Sequence, residues 1–442
     1  MRRSRAEAPP DVVFAESTVR SVRRYAEGAL RWSERVTRRG ACVEQHRPLT
    51  GTRHLCADGA DLLGSRVARL SREAGAVVRE VLSGGPGGCG QAGGGPGEEA
   101  ERELRALSLD GGLTVTWAAY HQLAAVGDAR RVVLDERSMR TVEVQAKAAD
   151  GTVCAESAHW DPARPRESAR RVELAAREAL RIAALPRAPG PPRRCAVVLE
   201  PGRAGAFFHE LVGHPMEGDI VAGRSSYLAR RLGSAVAPGW LTVEDGAGAP
   251  GAGLVVGVDD EGTPVRTAAM LRGGVVAEAL TDLATARHGG AAASRAGGAP
   301  GAARPAAATG SARRLDYRHP AVPRMRHTVA RHAGVPEERP EGPWLAPRGV
   351  QLRWMNLLTG DFEFDVPLAL LHGEGGGPRR AGPCTLAGNG LAVLAALRPG
   401  APEVGCAGRA RKGCGKLGQF PLVVSFGNSG LWFGGEAVDV RW

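Results

Sequence analysis

Apolar and polar positions along the chain follow two periods, and the changes between them divide it. Over residues 15–36, Val19, Val22, Ala26, Ala29 and Leu30 recur at helical spacing, which predicts an amphipathic helix. A second helix is predicted over 62–82. It precedes the stretch Gly84 to Gly97, which has too few apolar residues to pack and reads as a loop or linker. From residue 131 the period shortens. Val132, Val133 and Leu134, then Val142, Val144 and Ala146 in alternation, predict strands, and Asp150-Gly151 is a hairpin turn into Thr152-Val153-Cys154. Residues 166–185 return to the helical period. Ala169, Val172, Ala176, Ala179 and Ala183 share one face, while Glu167 and Arg171, and Glu173 and Arg177, are spaced for i,i+4 ion pairs. The run Pro186 to Pro192 ends this helix and marks a boundary.

Beyond it, Ala196 to Leu199 predicts a strand, and Pro201-Gly202 turns the chain into a helix over 204–213. Strand patterns then dominate: Leu254–Val258, a turn at Asp259 to Gly262, Val265–Leu271, a turn at Arg272-Gly273-Gly274, and Val275–Ala279. Further strands are predicted at Phe362–Leu371, Leu422–Phe426 and Ala437–Val440, and the Gly/Ala/Pro-rich segment Gly289 to Ala312 reads as a loop. This order argues an α+β fold, with mixed N-terminal and central regions followed by a mainly β C-terminal domain that carries one helix of chemical interest. The expected divisions are 1–110 (an α+β region), 111–191 (strand, hairpin, helix) and 192–442.

Composition narrows the function classes. The 442 residues leave room for two or three domains and a substantial core. Basic residues outnumber acidic ones, 58 to 47, giving a net charge of +11. Only Lys147, Lys412 and Lys416 are lysines, and the arginines are spread along a chain with 62 Gly and 30 Pro. That is compositional bias and not a basic stripe interleaved with aromatics, so no nucleic-acid partner is expected. The eight cysteines (Cys42, Cys56, Cys89, Cys154, Cys195, Cys384, Cys406 and Cys414) form no Cys-x-x-Cys pair and are dispersed, which argues against a disulfide framework. No apolar region follows the charged Met1 to Pro10, and no run approaches membrane-spanning length. The expectation is a cytoplasmic protein with no membrane contact.

The chemistry concentrates in Phe207-Phe208-His209-Glu210-Leu211-Val212-Gly213-His214-Pro215-Met216-Glu217-Gly218-Asp219. Histidines at i and i+4 stand about 40° apart around an α-helix, but at i and i+5 the separation is about 140°. His209 and His214 therefore reach one metal only if the helix ends or distorts between them. Gly213 and Pro215 are helix breakers, which predicts His209 and Glu210 in a last helical turn and His214 on the non-helical exit. A catalytic zinc usually takes three protein ligands. The third candidate is Cys414 in Gly413-Cys414-Gly415-Lys416-Leu417-Gly418-Gln419, where Lys416 would favour a thiolate. Cys406, in Val404-Gly405-Cys406-Ala407, is the competing thiol. Glu210 has the position of a general base. Glu217 and Asp219 either accept hydrogen bonds from the histidines' free nitrogens or cap the following turn. Tyr317, His319 and Arg324 either donate to a developing oxyanion or belong to a proline-rich structural segment. Asp259-Asp260-Glu261-Gly262 lacks EF-hand spacing and reads as a hairpin turn.

His-Glu-x-x-x-His followed by Glu-Gly-Asp, with a distant Cys-Gly-Lys-x-Gly-Gln, resembles the TldD subunit of the TldD/TldE (PmbA) metallopeptidases. Asp259 to Pro264, Arg313 to Met325 and Thr359-Gly360-Asp361-Phe362 agree in the right order. The resemblance runs from about residue 190 to the end, is looser from about 125 and fades before that, where the family's glycine-valine-arginine pattern is missing. It implies zinc bound by His209, His214 and Cys414, with Glu210 catalytic. It also implies hydrolysis of small or unfolded polypeptides, and a TldE/PmbA-like second subunit that typically lacks the ligands. The alternative from another class is a non-catalytic subunit that only binds peptides in its cleft.

Overall fold

The computed structural model describes residues 11–47, 51–58, 71–84, 95–109, 112–128, 130–190, 194–248, 251–287, 307–373, 377–408, 410 and 413–442. The N-terminal part is one antiparallel sheet of six long strands in the order β3-β2-β1-β4-β5-β6. These are β1 (Val12–Ala26), β2 (Ala29–Arg47), β3 (Gly51–Asp58), β4 (Thr114–Gly127), β5 (Val132–Lys147) and β6 (Val153–His159). Three helices pack on it: α1 (Arg72–Ser83), α2 (Glu98–Leu107) and α3 (Pro165–Ala184).

The helix predicted over 15–36 is instead the β1–β2 hairpin. Its turn is Glu27-Gly28, with φ of 51° and 72°, the doubly positive turn that matches strand twist. The misreading has a physical cause. One face of β1 carries Val13 and Ala15 against Val78, Val81 and Leu82 of α1. The other carries Phe14 against Tyr317, and Val22 against Leu254 and Val256, all from the C-terminal part. A strand buried on both faces loses the alternation that identifies strands. Of the helix predicted over 62–82, the part 72–83 is present as α1, capped by Ser71, whose Oγ accepts from Ala74 N at 3.1 Å. Residues 62–70 lie outside the described residues, as do 85–94 of the predicted linker. Helix α2 was not expected; its buried Ala100 and Leu104 join α3 over Trp117 and Trp160. Helix α3 stands as predicted within a residue at each end; the β5–β6 hairpin turns at Asp150-Gly151 as expected, but the strands predicted at 132–134 and 142–146 are one, and β6 runs on to His159. Strands from both sides of residue 110 share the one sheet.

The C-terminal part is mainly β. One six-stranded sheet runs Val275–Val276, Ala268–Arg272, Leu241–Gly246, His327–His332, Ser425–Asn428, Gly405–Gly408. A second runs Arg379–Ala381, Ala369–His372, Trp344–Pro347, Ala196–Leu199, Leu431–Phe433, Arg398–Pro399. A four-stranded sheet adds Gln351–Met355, Asp361–Val366, Cys384–Asn389 and Val438–Arg441. The fold is thus α+β with a mainly β C-terminal part. Leu254–Val258, expected as a strand, is extended loop whose Leu254 and Val256 are buried under the N-terminal sheet. The strand expected over Phe362–Leu371 is two, divided at Pro367-Leu368. Most of the loop expected over 289–312 lies outside the described residues, but its last residue opens a short ribbon, Ala312–Arg313 paired with Val322–Pro323.

The largest core lies between these sheets and holds Phe207, Phe208, Leu211, Val212 and Met216. Phe207 alone touches Phe362, Phe364 and Phe433, with ring centroids 5.5, 4.8 and 6.1 Å away. Such anchoring fixes the rotation of the chain that follows. Among the described residues no helix is long and apolar enough to cross a membrane.

Candidate metal centre

The segment after Phe208 does not end at Gly213. Gly205–Phe208 is α-helical, His209–Gly213 widens into a π-turn, and His214–Met216 tightens into a 3₁₀ turn. In a π-turn the hydrogen bond closes from i to i+5, and here His214 N donates to His209 O. The bond that defines the turn therefore brings together two residues five apart, as an α-helix does for residues four apart. The expected helix terminus is corrected accordingly: Gly213 has φ −60° and ψ −63°, and His214 φ −58° and ψ −43°, both helical. Gly213 is needed for close approach and not for termination, because Met325 Sδ fills the space a Cβ would take. Pro215 fits inside the 3₁₀ turn, near its start, where a missing N–H costs little. The Leu211 carbonyl inside the widened turn is taken by Tyr227 Oη.

The two imidazoles stand 5.1 Å apart at 84°. Cys414 arrives from the two-stranded hairpin Cys414–Lys416/Gln419–Leu422, and its Sγ lies 3.2 Å from His214 Nε2. Ligand atoms of His209, His214 and Cys414 all lie within 4.8 Å of one another, the only such group of three among the described residues. Cys406 is not part of it; it sits on the outer strand Gly405–Gly408, its Sγ against Gly427. Glu210 Oε2 is 3.5 Å from His214 Nε2, beside the donors.

Supporting contacts set each donor. His209 Nδ1 faces Thr328 Oγ1 at 3.3 Å, and Thr328 Oγ1 donates to Asp245 Oδ2 at 3.1 Å. Asp245 is itself held by Arg326 at 3.0 Å, and both are fully buried. His209 Nε2 is buried with no protein partner, so a donor nitrogen is left open on the cluster. His214 Nδ1 lies 3.2 Å from Glu217 Oε1, while Asp219 takes Lys416 Nζ at 2.7 Å. Of the two acids, Glu217 is thus the one that meets a histidine. Lys416 also reaches Glu217 at 3.0 Å and Pro323 O at 3.0 Å, which commits its charge to acids and not to the thiol.

Electrostatics agree with that division. Burial alone would raise the Cys414 thiol, yet His214 and then His209 hold it well below the usual thiol range. Burial would depress His214, but Cys414, Glu217 and Glu210 outweigh it and raise its proton affinity well above normal. Burial raises Glu210, offset in part by the two histidines. Burial acts upward on Glu217 too, but His214 and Lys416 prevail and lower it. The cluster has the character of a thiolate facing an imidazolium, and a cation bound there would take the place of that proton. Two imidazole nitrogens, one orphaned, and a thiolate within a single small triangle fit a metal ion.

The other sequence candidates are elsewhere. Tyr317 packs over Gly40 in the N-terminal core, and His319 Nδ1 pairs with Asp316 Oδ1 at 2.7 Å. Arg324 donates to Gln419 O at 3.2 Å on the cysteine hairpin. Asp259 to Gly262 is a turn, with Gly262 at φ 83°. Thr328, Asp245 and Tyr227 were missed, since each contributes by tertiary contact from a distant segment and carries no local motif; Met325 closes the Arg313 to Met325 segment, but its contact with Gly213 could not be read from it.

A widened helical turn bearing two histidines and a carboxylate, closed by a cysteine hairpin inside an α+β fold, defines the class: a protein with a candidate single-metal centre. Residues 192–410, just under half of the chain, match the PmbA/TldA metallopeptidase C-terminal domain, and this part belongs to the TldD/PmbA family. Cys414 lies just past the matched residues. A metalloprotease of Synechocystis sp. is 29% identical over 270 residues, covering 59% of this chain and 52% of that protein. A protein of Haemophilus influenzae named metalloprotease TldD homolog is 30% identical over 160 residues, 36% of this chain and 30% of its own length. The matched stretch is therefore about half or less of these relatives. Among solved structures, TldE from Thermococcus kodakarensis superposes with a TM-score of 0.65 at 13% identity, covering 98% of this chain and 97% of that one. A putative modulator of DNA gyrase from Thermotoga maritima gives 0.64 at 14% identity, covering 98% and 96%. These similarities establish the shared fold.

Proposed function

We propose that the chain is a zinc-dependent metallopeptidase of the TldD type. His209, His214 and Cys414 would hold the ion and Glu210 would act as general base. The observation that carries this reading is the convergence of those three donors within 4.8 Å, with the Glu210 carboxylate at their side. Two imidazoles and a thiolate suit zinc, which is borderline-soft and tetrahedral. When bound, zinc supplies Lewis acidity that brings the pKa of a coordinated water toward about 7. Glu210 Oε2 accepts a proton from the attacking water and returns it to the leaving amine nitrogen. Its partial burial, with only 20% of the side chain exposed, keeps that carboxylate poorly solvated and more basic than a surface glutamate. Thr328 and Glu217 orient the two imidazoles by engaging their far nitrogens.

The substrate we propose is a small or unfolded polypeptide bound in extended form. Among the described residues the ligand-bearing hairpin is a sheet of two strands that exposes Leu417 and Phe420, and an extended peptide would lie alongside it. A TldE/PmbA-like second subunit completes the active assembly in this reading, which the likeness to a TldE structure supports. A cytoplasmic setting is part of the proposal, in keeping with seven unpaired cysteines among the described residues. The test is Glu210→Gln, assayed on a flexible peptide with metal content measured in parallel. Retained zinc with a loss of about two to four orders of magnitude in turnover is expected. Full turnover by a zinc-loaded variant would remove Glu210 from the reaction.

A further inference from the structure

Five arginine side chains are among the largest fully buried groups in the molecule: Arg137, Arg313, Arg314, Arg324 and Arg326. Three of them each have a close acid, although Arg314 Nε and Arg326 Nη2 are also buried without a partner. Arg137 donates to Asp135 at 2.7 Å, Gln122 Oε1 at 3.0 Å and Val258 O at 2.8 Å, and pairs with Asp260. Arg314 reaches Glu44 at 3.1 Å and Asp260 O at 3.0 Å. Arg326 is paired with Asp245.

Arg313 and Arg324 are different. The nearest carboxylate oxygen to Arg313 is Asp260 Oδ2, 3.7 Å from Nε, which is too long for a hydrogen bond, and both Nε and Nη1 are buried without a partner. Arg324 uses Nη1 on Gln419 O, while its buried Nε and Nη2 have no partner and no described carboxylate forms an ion pair with it. The two are neighbours. Arg313 pairs with Val322 in the ribbon, and the ladder continues through Arg324 N to Ser311 O at 2.8 Å, so Arg324 is the diagonal neighbour of Arg313 on the same ribbon face. Two cations side by side in the interior repel, and unanswered buried donors are costly. Burial lowers the proton affinity of Arg313, and Arg137 and Arg324 add to that, although Asp260 opposes it.

We propose that Arg313 and Arg324 form a buried oxyanion-binding site, taking a carboxylate or phosphate group whose oxygens receive the open guanidinium donors. The Nε and Nη2 donors left open on Arg324 share one edge of its guanidinium, a planar fork that takes two oxygens of either group, and Arg313 adds its own open donors. The site adjoins the cysteine hairpin: Arg324 holds Gln419 O, and Pro323 O, next to it in the ribbon, accepts from Lys416. An anion here would brace the element that carries Cys414 through the Arg324 contact to Gln419 O. This inference stands whether or not the chain is a peptidase.

The test is thermal unfolding of the full chain at constant ionic strength, with sodium chloride replaced stepwise by sodium phosphate in one arm and sodium succinate in the other. A ligand that binds only the folded chain raises the melting temperature progressively with its concentration. Wild type should show that rise in at least one arm, and the responding arm identifies the oxyanion. Arg313→Met and Arg324→Met should melt at the same temperature in chloride and in the anion. An equal rise in the variants would be a general salt effect or binding at the metal centre, and overturns the site. So does the lack of any rise in wild type. Should the methionine variants not fold, Arg313→Lys, which keeps the charge but not the fork, is compared by calorimetric titration with the same salts. Binding at least tenfold weaker than wild type supports the site, and equal binding overturns it.

Discussion

Met325 Sδ occupies the space in which any side chain on Gly213 would begin. That contact joins the segment after the Val322–Pro323 strand to the π-turn between the two histidines, so the packing of one residue is tied to the aim of two others. Gly213→Ala must displace either Met325 or the turn. Overpacking of this kind costs about 1–3 kcal/mol. The expected outcome is a lower unfolding midpoint together with weaker metal retention, read by denaturant titration and by metal content after dialysis. A variant with unchanged metal content would show that the turn does not depend on this fit.

Cys414 and Cys406 should separate cleanly. Cys414→Ser replaces a buried thiol whose acidity is raised by two imidazoles with a neutral hydroxyl, a far poorer ligand for a borderline-soft ion. Most of the zinc should be lost. Cys406→Ser, on the outer strand against Gly427, should keep it. Metal content of the two purified variants beside wild type decides the matter, and the reverse pattern would exchange the roles of the two thiols.

Thr328 faces His209 Nδ1, the nitrogen away from the cluster, and donates its own hydroxyl hydrogen bond to Asp245. Thr328→Val keeps the shape and removes the oxygen. Loss of such a supporting partner typically weakens metal binding about 10–100-fold. Competition with a chelator of known affinity measures it, with the thermal midpoint of the metal-free form as a control for folding. Unaltered affinity would mean that the ring is oriented by packing against Phe426 alone, its centroid 4.8 Å away.

Glu16 provides a pH signature away from the metal. It is buried in β1, where it accepts from Gln122 Nε2 at 2.6 Å and from Tyr317 N at 3.0 Å. Burial raises its carboxyl from 4.5 to about 7. The folded chain then holds this proton more tightly than the unfolded one. The associated stability is complete below about pH 4.5 and is lost as pH rises toward 7. Relative to Glu16→Gln, wild type should therefore lose about 3 kcal/mol across that window and change little above it. Urea unfolding of both proteins at pH 4.5, 6 and 8 checks this, and a stability difference independent of pH would contradict it.

Legibility varied with how local the information was. Helix α3 and the β5–β6 hairpin could be read because each has one clear amphipathic face or a turn residue at its tip. The β1–β2 hairpin could not: helices cover one face and the C-terminal part covers the other, so both faces need buried residues and alternation disappears. Nothing local in the sequence marks Arg313 and Arg314 as interior residues. Only the fold places them in the interior against Asp260 and Glu44.

At the metal centre the boundary between the two sources of information is sharp. The sequence by itself supplied the candidate donors: two imidazoles, a carboxylate between them, and two competing remote thiols, Cys414 and Cys406. It also determined that a regular α-helix could not serve, since five residues is the wrong spacing for one face. What only the tertiary structure decided was how the conflict is resolved. The chain does not break at Gly213; it widens into a π-turn, held by Tyr227 Oη on Leu211 O and by Met325 against Gly213. The physical reason is that a π-turn is poor in local terms and forms only where distant contacts stabilise it. Those contacts come from residues 16 and more positions away, which no reading of the local pattern contains.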